Sequence, residues 1–275
     1  MTLRLPDPAR VDALIREVAA SEIMPRYQTL AAGDILEKAP GDFVTAADLA
    51  SEAALSRRLP DLLPGAVVLG EEAVAADASL YRLFDGDAPV WVIDPVDGTV
   101  NFANARPGFA VIVALIQART VHAGWILDPL AGVSVMAQVG EGAWRDGERL
   151  RVPSGVAVGA MVGASYGRIG SQTRTADLLS TSGRVGGIVN GMSSGIDYLR
   201  LALGRGHFLV ASHSKPWDHA AGILITRELG GASGFIDGAP YDPRIVDRGV
   251  LSAASAEGWD TIRAVIDAGR DAPAA

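Results

Sequence analysis

The stretch Trp91-Val-Ile-Asp94-Pro-Val-Asp97-Gly98-Thr99-Val-Asn101-Phe102 sets two aspartates three positions apart at the end of an apolar run. Pro95 fixes a backbone angle between them and forbids helix, so both carboxylates are expected on a rigid turn at the end of a buried strand. Gly98 lets the backbone approach a ligand closely, and Thr99 reads as a helix start. Two carboxylates held together repel unless a cation lies between them. The adjacent helix start offers N–H groups and a positive dipole end to an anion. A metal ion beside a phosphate is the economical reading. One such segment alone would serve equally as an Asx-turn with a capping threonine.

Further acids stand at comparable places. Val67-Val68-Leu69-Gly70-Glu71-Glu72 is a second apolar run ending in acid, and Lys215-Pro216-Trp217-Asp218-His219 puts an aspartate at a helix start. Upstream lies Asp42-Phe43-Val44-Thr45-Ala46-Ala47-Asp48. Magnesium prefers hard oxygen ligands, and one turn supplying two carboxylates while distant segments supply others makes a rigid cage for it. Taken singly, each acid reads as a cap or a surface charge, and Asp218 in particular as a helix cap.

The composition sets limits on the chemistry. In 275 residues, 49% are hydrophobic and 20% charged, which describes a well-buried globular chain. The net charge of −8, with no basic block to offset it, argues against nucleic-acid binding. There is no cysteine, which excludes disulfides, zinc–thiolate sites and cysteine nucleophiles. The N-terminus lacks the build of a signal peptide, and the longest apolar run, Phe109 to Ile116, is too short to span a bilayer. No membrane partner and a cytoplasmic location are therefore expected.

The elements that must position these residues fall into two patterns. Apolar positions from Val11 to Ile23 form a helical stripe within residues 8–32. A strand over Phe43–Thr45, a helix from Ala46 ended by Pro60, and strands at Ala66–Leu69 and Val90–Ile93 follow. After the Asp-Gly-Thr turn come strands at 110–118, 122–127 and 133–139, which predict an antiparallel meander, and Asp146-Gly147 signals a hairpin. From about residue 152 strands and helices alternate, with helices expected at 173–181, 194–203, 217–229 and 257–268. The fold class is thus α+β in residues 1–152 and α/β in residues 153–275, with the boundary near Pro153 and Asp218 in the second half.

The segments DFVTAAD (42–48), GEE (70–72), WVIDPVDGTVNF (91–102) and KPWDHAAG (215–222) together resemble the inositol monophosphatase family of lithium-sensitive, magnesium-dependent phosphatases. The resemblance implies a layered αβαβα sandwich of the inositol monophosphatase and fructose-1,6-bisphosphatase type, two or three Mg2+ ions, and a homodimer. It implies that Glu71, Asp94 and the Val96 carbonyl hold one ion, and that Asp94, Asp97 and Asp218 hold a second. Two ions about 3.5–4 Å apart clamp a phosphate and acidify water, so no nucleophile–base pair is needed. By the same resemblance Thr99, backed by Asp48, hydrogen-bonds the attacking water, and Glu71 helps to orient it. Main-chain N–H groups of Gly98 and Thr99 cradle the phosphate. Glu72, Thr45 and Lys38 support the site from behind, Lys38 from a Pro-Gly loop able to fold over it.

The substrate side matches less well. Inositol-preferring members carry a glutamate seven positions before the aspartate of the Trp-Asp motif, and here that position is Ala211. Ser212 and His213 are the neighbouring polar candidates, and Ser193 and Ser194 lie in a segment that borders the substrate. Asp197 reads as scaffold, His219 as packing, and Trp125 and Trp144 as candidates for a dimer interface. The function implied is a magnesium-dependent phosphomonoesterase for a small polar phosphate ester, inositol-1-phosphate or a relative. Histidinol phosphate, fructose-1,6-bisphosphate, 3′-phosphoadenosine nucleotides and NADP are competing substrates. A partner-binding protein that retains the fold is the reading of another class.

Overall fold

The computed structural model describes residues 4–39, 42–151, 156–167 and 175–271. Helix α1 (Pro8–Val18) starts where the Asp7 side chain accepts from Ala9 N and Pro8 occupies the first turn. The expected long N-terminal helix does not continue regularly. It loosens into a π-helical turn over 19–23 and a 3₁₀ turn over 24–26, because Pro25 removes a ladder donor. Strands β1 (Ile35–Ala39) and β2 (Asp42–Thr45) form an antiparallel hairpin leading into α2 (Ala46–Leu62). That helix runs two residues past Pro60, since a proline in the last turn deletes one hydrogen bond without blocking the next.

A seven-stranded sheet follows, built from β3 (Val67–Gly70), β4 (Val90–Asp97), β5 (Ala110–Gln117), β6 (Thr120–Asp128), β7 (Val133–Gln138), β8 (Gly142–Arg145) and β9 (Glu148–Arg149), in that spatial order. Helix α3 (Glu71–Ala76) leaves the end of β3, and α4 (Thr99–Ala103) leaves the end of β4. Only β3 and β4 are parallel; the rest is the antiparallel meander expected. Asp146 and Gly147 both have positive φ, at 49° and 81°, which makes the two-residue turn between β8 and β9 that the Asp-Gly pair signals.

The second sheet has the order β11-β10-β12-β14-β13, from β10 (Val162–Tyr166), β11 (Gly187–Ile188), β12 (Phe208–Ala211), β13 (Ala232–Phe235) and β14 (Val250–Ala253). Its helices are α5 (Thr175–Thr181), α6 (Ser194–Ala202), α7 (Pro216–Glu228) and α8 (Ala256–Asp271). The expected start of α5 at Thr173 and the boundary near Pro153 lie outside the described residues. Strand β11 is only two residues long and lies at the sheet edge, with β10 as its one neighbour.

Alternation along the strands shows how the layers stack. Val90, Val92, Ile112, Ala114 and Ile126 pack with Tyr198, Leu199, Ala221 and Ile225 of α6 and α7. The intervening Trp91, Ile93, Val111, Val113 and Trp125 face Val11, Ile15, Leu55 and Leu59 of α1 and α2. Leu209 and Ala211 join the first group, while Phe208, Val210 and Leu251 pack with Leu179, Ile262 and Ile266 of α5 and α8. The layers are therefore helices, seven-stranded sheet, helices, five-stranded sheet and helices, the five-layer sandwich anticipated. Both faces of each sheet are covered, which explains why β4 and β5 read as continuous apolar runs. Trp125 is wholly buried and donates to Pro8 O, so it belongs to the core and lends no support to a dimer interface. Trp144 is half-buried. Among the described residues no helix is long and apolar enough to cross a membrane.

Candidate active site

The site forms where the ends of β3 and β4 meet the heads of α6 and α7. Strand β4 does not stop at Ile93 as expected but runs to Asp97, with its register against β5 slipping between Asp94 and Asp97. Pro95 sits in that bulge, where a missing N–H costs no ladder bond. The bulge turns Asp94 toward Glu71 and Asp218, and carboxylate oxygens of the three lie within 4.8 Å of one another. Asp94 also accepts from Val96 N at 3.1 Å, which fixes its rotamer.

Burial followed by the charge of Glu71 and then Asp97 pushes the carboxyls of both Asp94 and Asp218 well above the usual carboxylate range. These groups are poor anions by themselves and good ones beside a cation. Three converging oxygen donors with that electrostatic strain suit a hard divalent ion, so the donor set fits the magnesium that the resemblance implies. Asp97, placed in the second ion's shell by resemblance, lines the same cavity as Asp218, but its carboxylate is also a clamp between the sheets. It accepts from Ser193 Oγ at 2.5 Å, Gly195 N at 2.7 Å, Ser194 Oγ at 3.1 Å and Ser194 N at 3.2 Å. Burial still moves it up to about 6 despite those bonds.

Thr99 and Asp48 meet as expected: Thr99 Oγ1 donates toward Asp48 Oδ1 at 3.3 Å and toward the Val96 carbonyl at 3.0 Å. The other Asp48 oxygen accepts from Thr45 N at 2.8 Å and Thr45 Oγ1 at 2.5 Å, while Thr45 Oγ1 accepts from Ala47 N. Thr45 thus caps α2 and orients Asp48. Burial is the main cause that moves Asp48 up to about 6, partly offset by Thr45. Gly98, at φ +92°, links Asp97 to α4; a methyl group there would lie 2.8 Å from Gly108 O and 3.0 Å from Ser193 Cβ. The chain turns tightly at that point because nothing larger fits.

Lys38, on β1, holds both glutamates of the Gly-Glu-Glu segment, with Nζ 3.3 Å from Glu71 Oε1 and 3.0 Å from Glu72 Oε1. Residues 40 and 41 of its loop lie outside the described residues. Burial and then Glu71 raise the Glu72 carboxyl to about 7, with Lys38 pulling the other way.

Glu52, in the middle of α2, went unnoticed in the sequence. Its carboxylate accepts from Glu72 N at 2.8 Å and Ala73 N at 2.9 Å, capping α3 from outside the helix. A side chain on Gly70 would land on that carboxylate, so the glycine keeps the cap in reach. Asn101 Nδ2 donates to Gly108 O at 2.6 Å and Gly191 O at 2.9 Å, binding α4 to two loops.

A cavity of about 200 Å³ opens beside the acids, lined by Asp97, Ser193, Ser194, Ala211, His213 and Asp218 among others. Ser193 and Ser194 border it as expected, yet their hydroxyl protons are engaged: Ser193 on Asp97, Ser194 on Asp97 or Asp218 O. Ala211 presents only a methyl group from the end of β12. His213 Nδ1 is 3.7 Å from Asp218 Oδ2. Ser212 turns away against Gly167 and is not among the lining residues. Asp197 is scaffold, accepting from Tyr166 Oη, Gly191 N and Arg200 Nη1. A larger cavity of about 590 Å³ beyond Met192 contains none of the clustered acids.

Clustered acids at strand ends, facing a cavity between two sheets, are a site suited to a metal-dependent phosphoric monoester hydrolase. The sequence model of the inositol monophosphatase family matches residues 9–267, and the chain belongs to that family. It is 32% identical over 207 residues to an inositol-1-monophosphatase of Mesorhizobium japonicum, covering 73% of this chain and 75% of that one. With a fructose-1,6-bisphosphatase/inositol-1-monophosphatase of Thermotoga maritima it shares 28% over 200 residues, 72% of this chain and 74% of the relative. The solved extragenic suppressor protein suhB of Bartonella henselae superposes with a TM-score of 0.79 at 25% identity, over 94% of this chain and 97% of that one.

Proposed function

We propose that this phosphatase hydrolyses a small polar phosphate monoester, inositol-1-phosphate or a relative, by attack of water with magnesium bound at Glu71, Asp94, Asp97, Asp218 and the Val96 carbonyl. The observation that carries the reading is the convergence of Glu71, Asp94 and Asp218 within 4.8 Å, with the Thr99–Asp48 pair anchored on the neighbouring Val96 carbonyl. Magnesium, when bound, supplies charge neutralisation on the phosphoryl oxygens and acidifies water.

The chain's own residues do the rest. Thr99 Oγ1, donating to Asp48 or to Val96 O, keeps a lone pair for a proton of the attacking water. Asp48, pushed up to about 6, is still mostly ionised at neutral pH and receives the proton passed through Thr99. The N–H groups of Gly98 and Thr99 at the head of α4 receive phosphate oxygens. Lys38 balances Glu71 and Glu72 before the ester arrives. Because Ala211 has no acceptor and both serine hydroxyls are engaged, the sugar or cyclitol side is read loosely, which favours relaxed selectivity over strict preference for inositol.

A phosphate-release screen tests this across inositol-1-phosphate, histidinol phosphate, fructose-1,6-bisphosphate, 3′-phosphoadenosine nucleotides and NADP, with magnesium and with chelator. Magnesium-dependent release is expected. No release from any of them would leave a partner-binding protein as the better reading. Lithium at millimolar concentration is expected to inhibit uncompetitively, and unchanged turnover at high lithium excludes that kinship in mechanism. A homodimer in the cytoplasm is the accompanying proposal, tested by light scattering.

A further inference from the structure

Two histidines in or beside the cavity have no part in the reaction as derived. His213, Asp218 and His219 each bring one ligating atom within 4.8 Å of the others, a second convergent group that shares only Asp218 with the oxygen cluster. His219 is wholly buried, and its Nε2 has no hydrogen-bond partner. Its Nδ1 lies 3.2 Å from Tyr198 Oη, and Ser252 Oγ reaches the same phenol at 3.3 Å. With Nδ1 protonated and donating to Tyr198 Oη, which then donates on to Ser252 Oγ, Nε2 keeps the lone pair that a metal-binding imidazole requires. A ring placed in the core only for packing would leave a buried polar nitrogen unsatisfied at a cost.

His213 completes the set from the loop after β12. Its Nδ1 makes no hydrogen bond and stands 3.7 Å from Asp218 Oδ2. Ligands about 2.1 Å from one ion are separated by roughly 3.0 Å in octahedral and 3.4 Å in tetrahedral geometry. Closing the His213–Asp218 gap takes a few tenths of an ångström, within reach of a small rotation of the half-exposed His213 ring, while the pairs with His219 stand within 4.8 Å. Lys215, the nearby cation, is drawn aside over the Trp217 ring, 5.6 Å from its centroid.

We propose that His213, Asp218 and His219 form a nitrogen-containing cation position at the rim of the carboxylate cluster, selective for a borderline divalent ion such as cobalt or zinc over magnesium. Two imidazoles and one carboxylate are the donors such ions prefer, whereas magnesium takes oxygen and dehydrates reluctantly. The chain therefore has two kinds of metal position meeting at Asp218, one all-oxygen and one mixed. This inference does not depend on which ester is hydrolysed, or on hydrolysis at all.

The test uses this chain stripped of metal and loaded with one equivalent of Co2+. Pulsed electron paramagnetic resonance of the Co2+ protein is expected to show coupling to imidazole nitrogen, and its optical spectrum the d–d bands of a mixed nitrogen–oxygen site. In His213→Asn the ratio of Co2+ to Mg2+ affinity should fall at least tenfold, a ratio in which a general loosening of the site cancels. His219→Gln should do the same. Should that core substitution fail to fold, His213→Asn and the nitrogen coupling of the unaltered protein decide alone. Cobalt bound without nitrogen coupling, or an unchanged affinity ratio in His213→Asn, overturns the proposal. Nitrogen coupling in a protein that releases phosphate from no ester with any metal would uphold it and remove the phosphatase reading instead.

Discussion

Replacing Asp94 by Asn should stabilise the metal-free protein while destroying its activity. Asn keeps the shape of the side chain and the acceptor for Val96 N, but removes one of three charges packed within 4.8 Å. At that separation and an effective dielectric of about 20, one ionised pair repels by about 3.5 kcal/mol. The penalty has a ceiling, because the site can take up a proton instead. From the ordinary carboxyl value of 3.8 to pH 7 that costs about 1.4 kcal/mol per unit, about 4 kcal/mol in all. The variant should therefore gain about 1–4 kcal/mol at neutral pH without metal, raising Tm by about 2–4 °C per kcal/mol.

The pH dependence gives the sign. A carboxyl raised in the folded state stabilises fully below its unfolded value of 3.8, and that contribution is lost as pH rises toward the folded value. The two proteins should melt together near pH 4 and separate in favour of the variant toward pH 7.5. Thermal unfolding in chelator across that range measures it. Saturating magnesium should reverse the order, since only the native acid set gains the full binding term. Turnover of the variant should fall by orders of magnitude. A variant less stable than the parent in chelator at pH 7.5 would refute the claim that these carboxylates repel.

Three further substitutions probe the supports. Glu52→Ala removes the cap of α3 and should weaken magnesium binding about 10- to 100-fold and stability by about 1–3 kcal/mol, read by calorimetry and denaturant titration, with Glu52→Gln recovering part of both. Gly98→Ala forces a methyl group to 2.8 Å from Gly108 O at a positive φ, and should cost about 1–2 kcal/mol in melts and more than tenfold in kcat. Ala211→Glu, which restores an acceptor to the cavity wall, should raise turnover of inositol-1-phosphate relative to an aryl phosphate by about 10- to 150-fold in kcat/KM. That range corresponds to a charge-assisted hydrogen bond of about 1.5–3 kcal/mol. An unchanged ratio means that other residues read the alcohol.

Much of the site was legible because its acids mark the ends of apolar runs. Glu71 follows β3, Asp94 and Asp97 close β4, and Asp218 opens α7, so strand and helix boundaries pointed to one place. The Asp146-Gly147 turn was equally plain, since its φ values demand those residue types. Glu52 was hidden because it is one acid among several in a helix of ordinary composition, and only the packing of α2 under α3 gives it its partners. The bulge at Pro95 escaped for a related reason: sequence marks a proline, not the register of the strand beside it. Ser193 and Ser194 line the cavity, and their bonds to Asp97 could not be read from sequence, because nothing local reveals a carboxylate nearly a hundred residues away. His219 likewise read as packing until its orphan nitrogen was seen beside Asp218 and His213.

Asp97 gives the site a mechanical character. It belongs to the seven-stranded sheet, yet the four bonds its carboxylate accepts come from Ser193, Ser194 and Gly195, which head a helix wedged between the two sheets. The catalytic hollow is therefore a seam, and the aspartate a stitch through it. On the proposed reading, an ion held by Asp97 would draw the layers together as a rivet does, and prising the layers apart would dismantle the ion's shell. Metal binding should then raise the temperature at which the layers part relative to the metal-free protein, so the grip on the ion gauges how firmly the whole sandwich is closed.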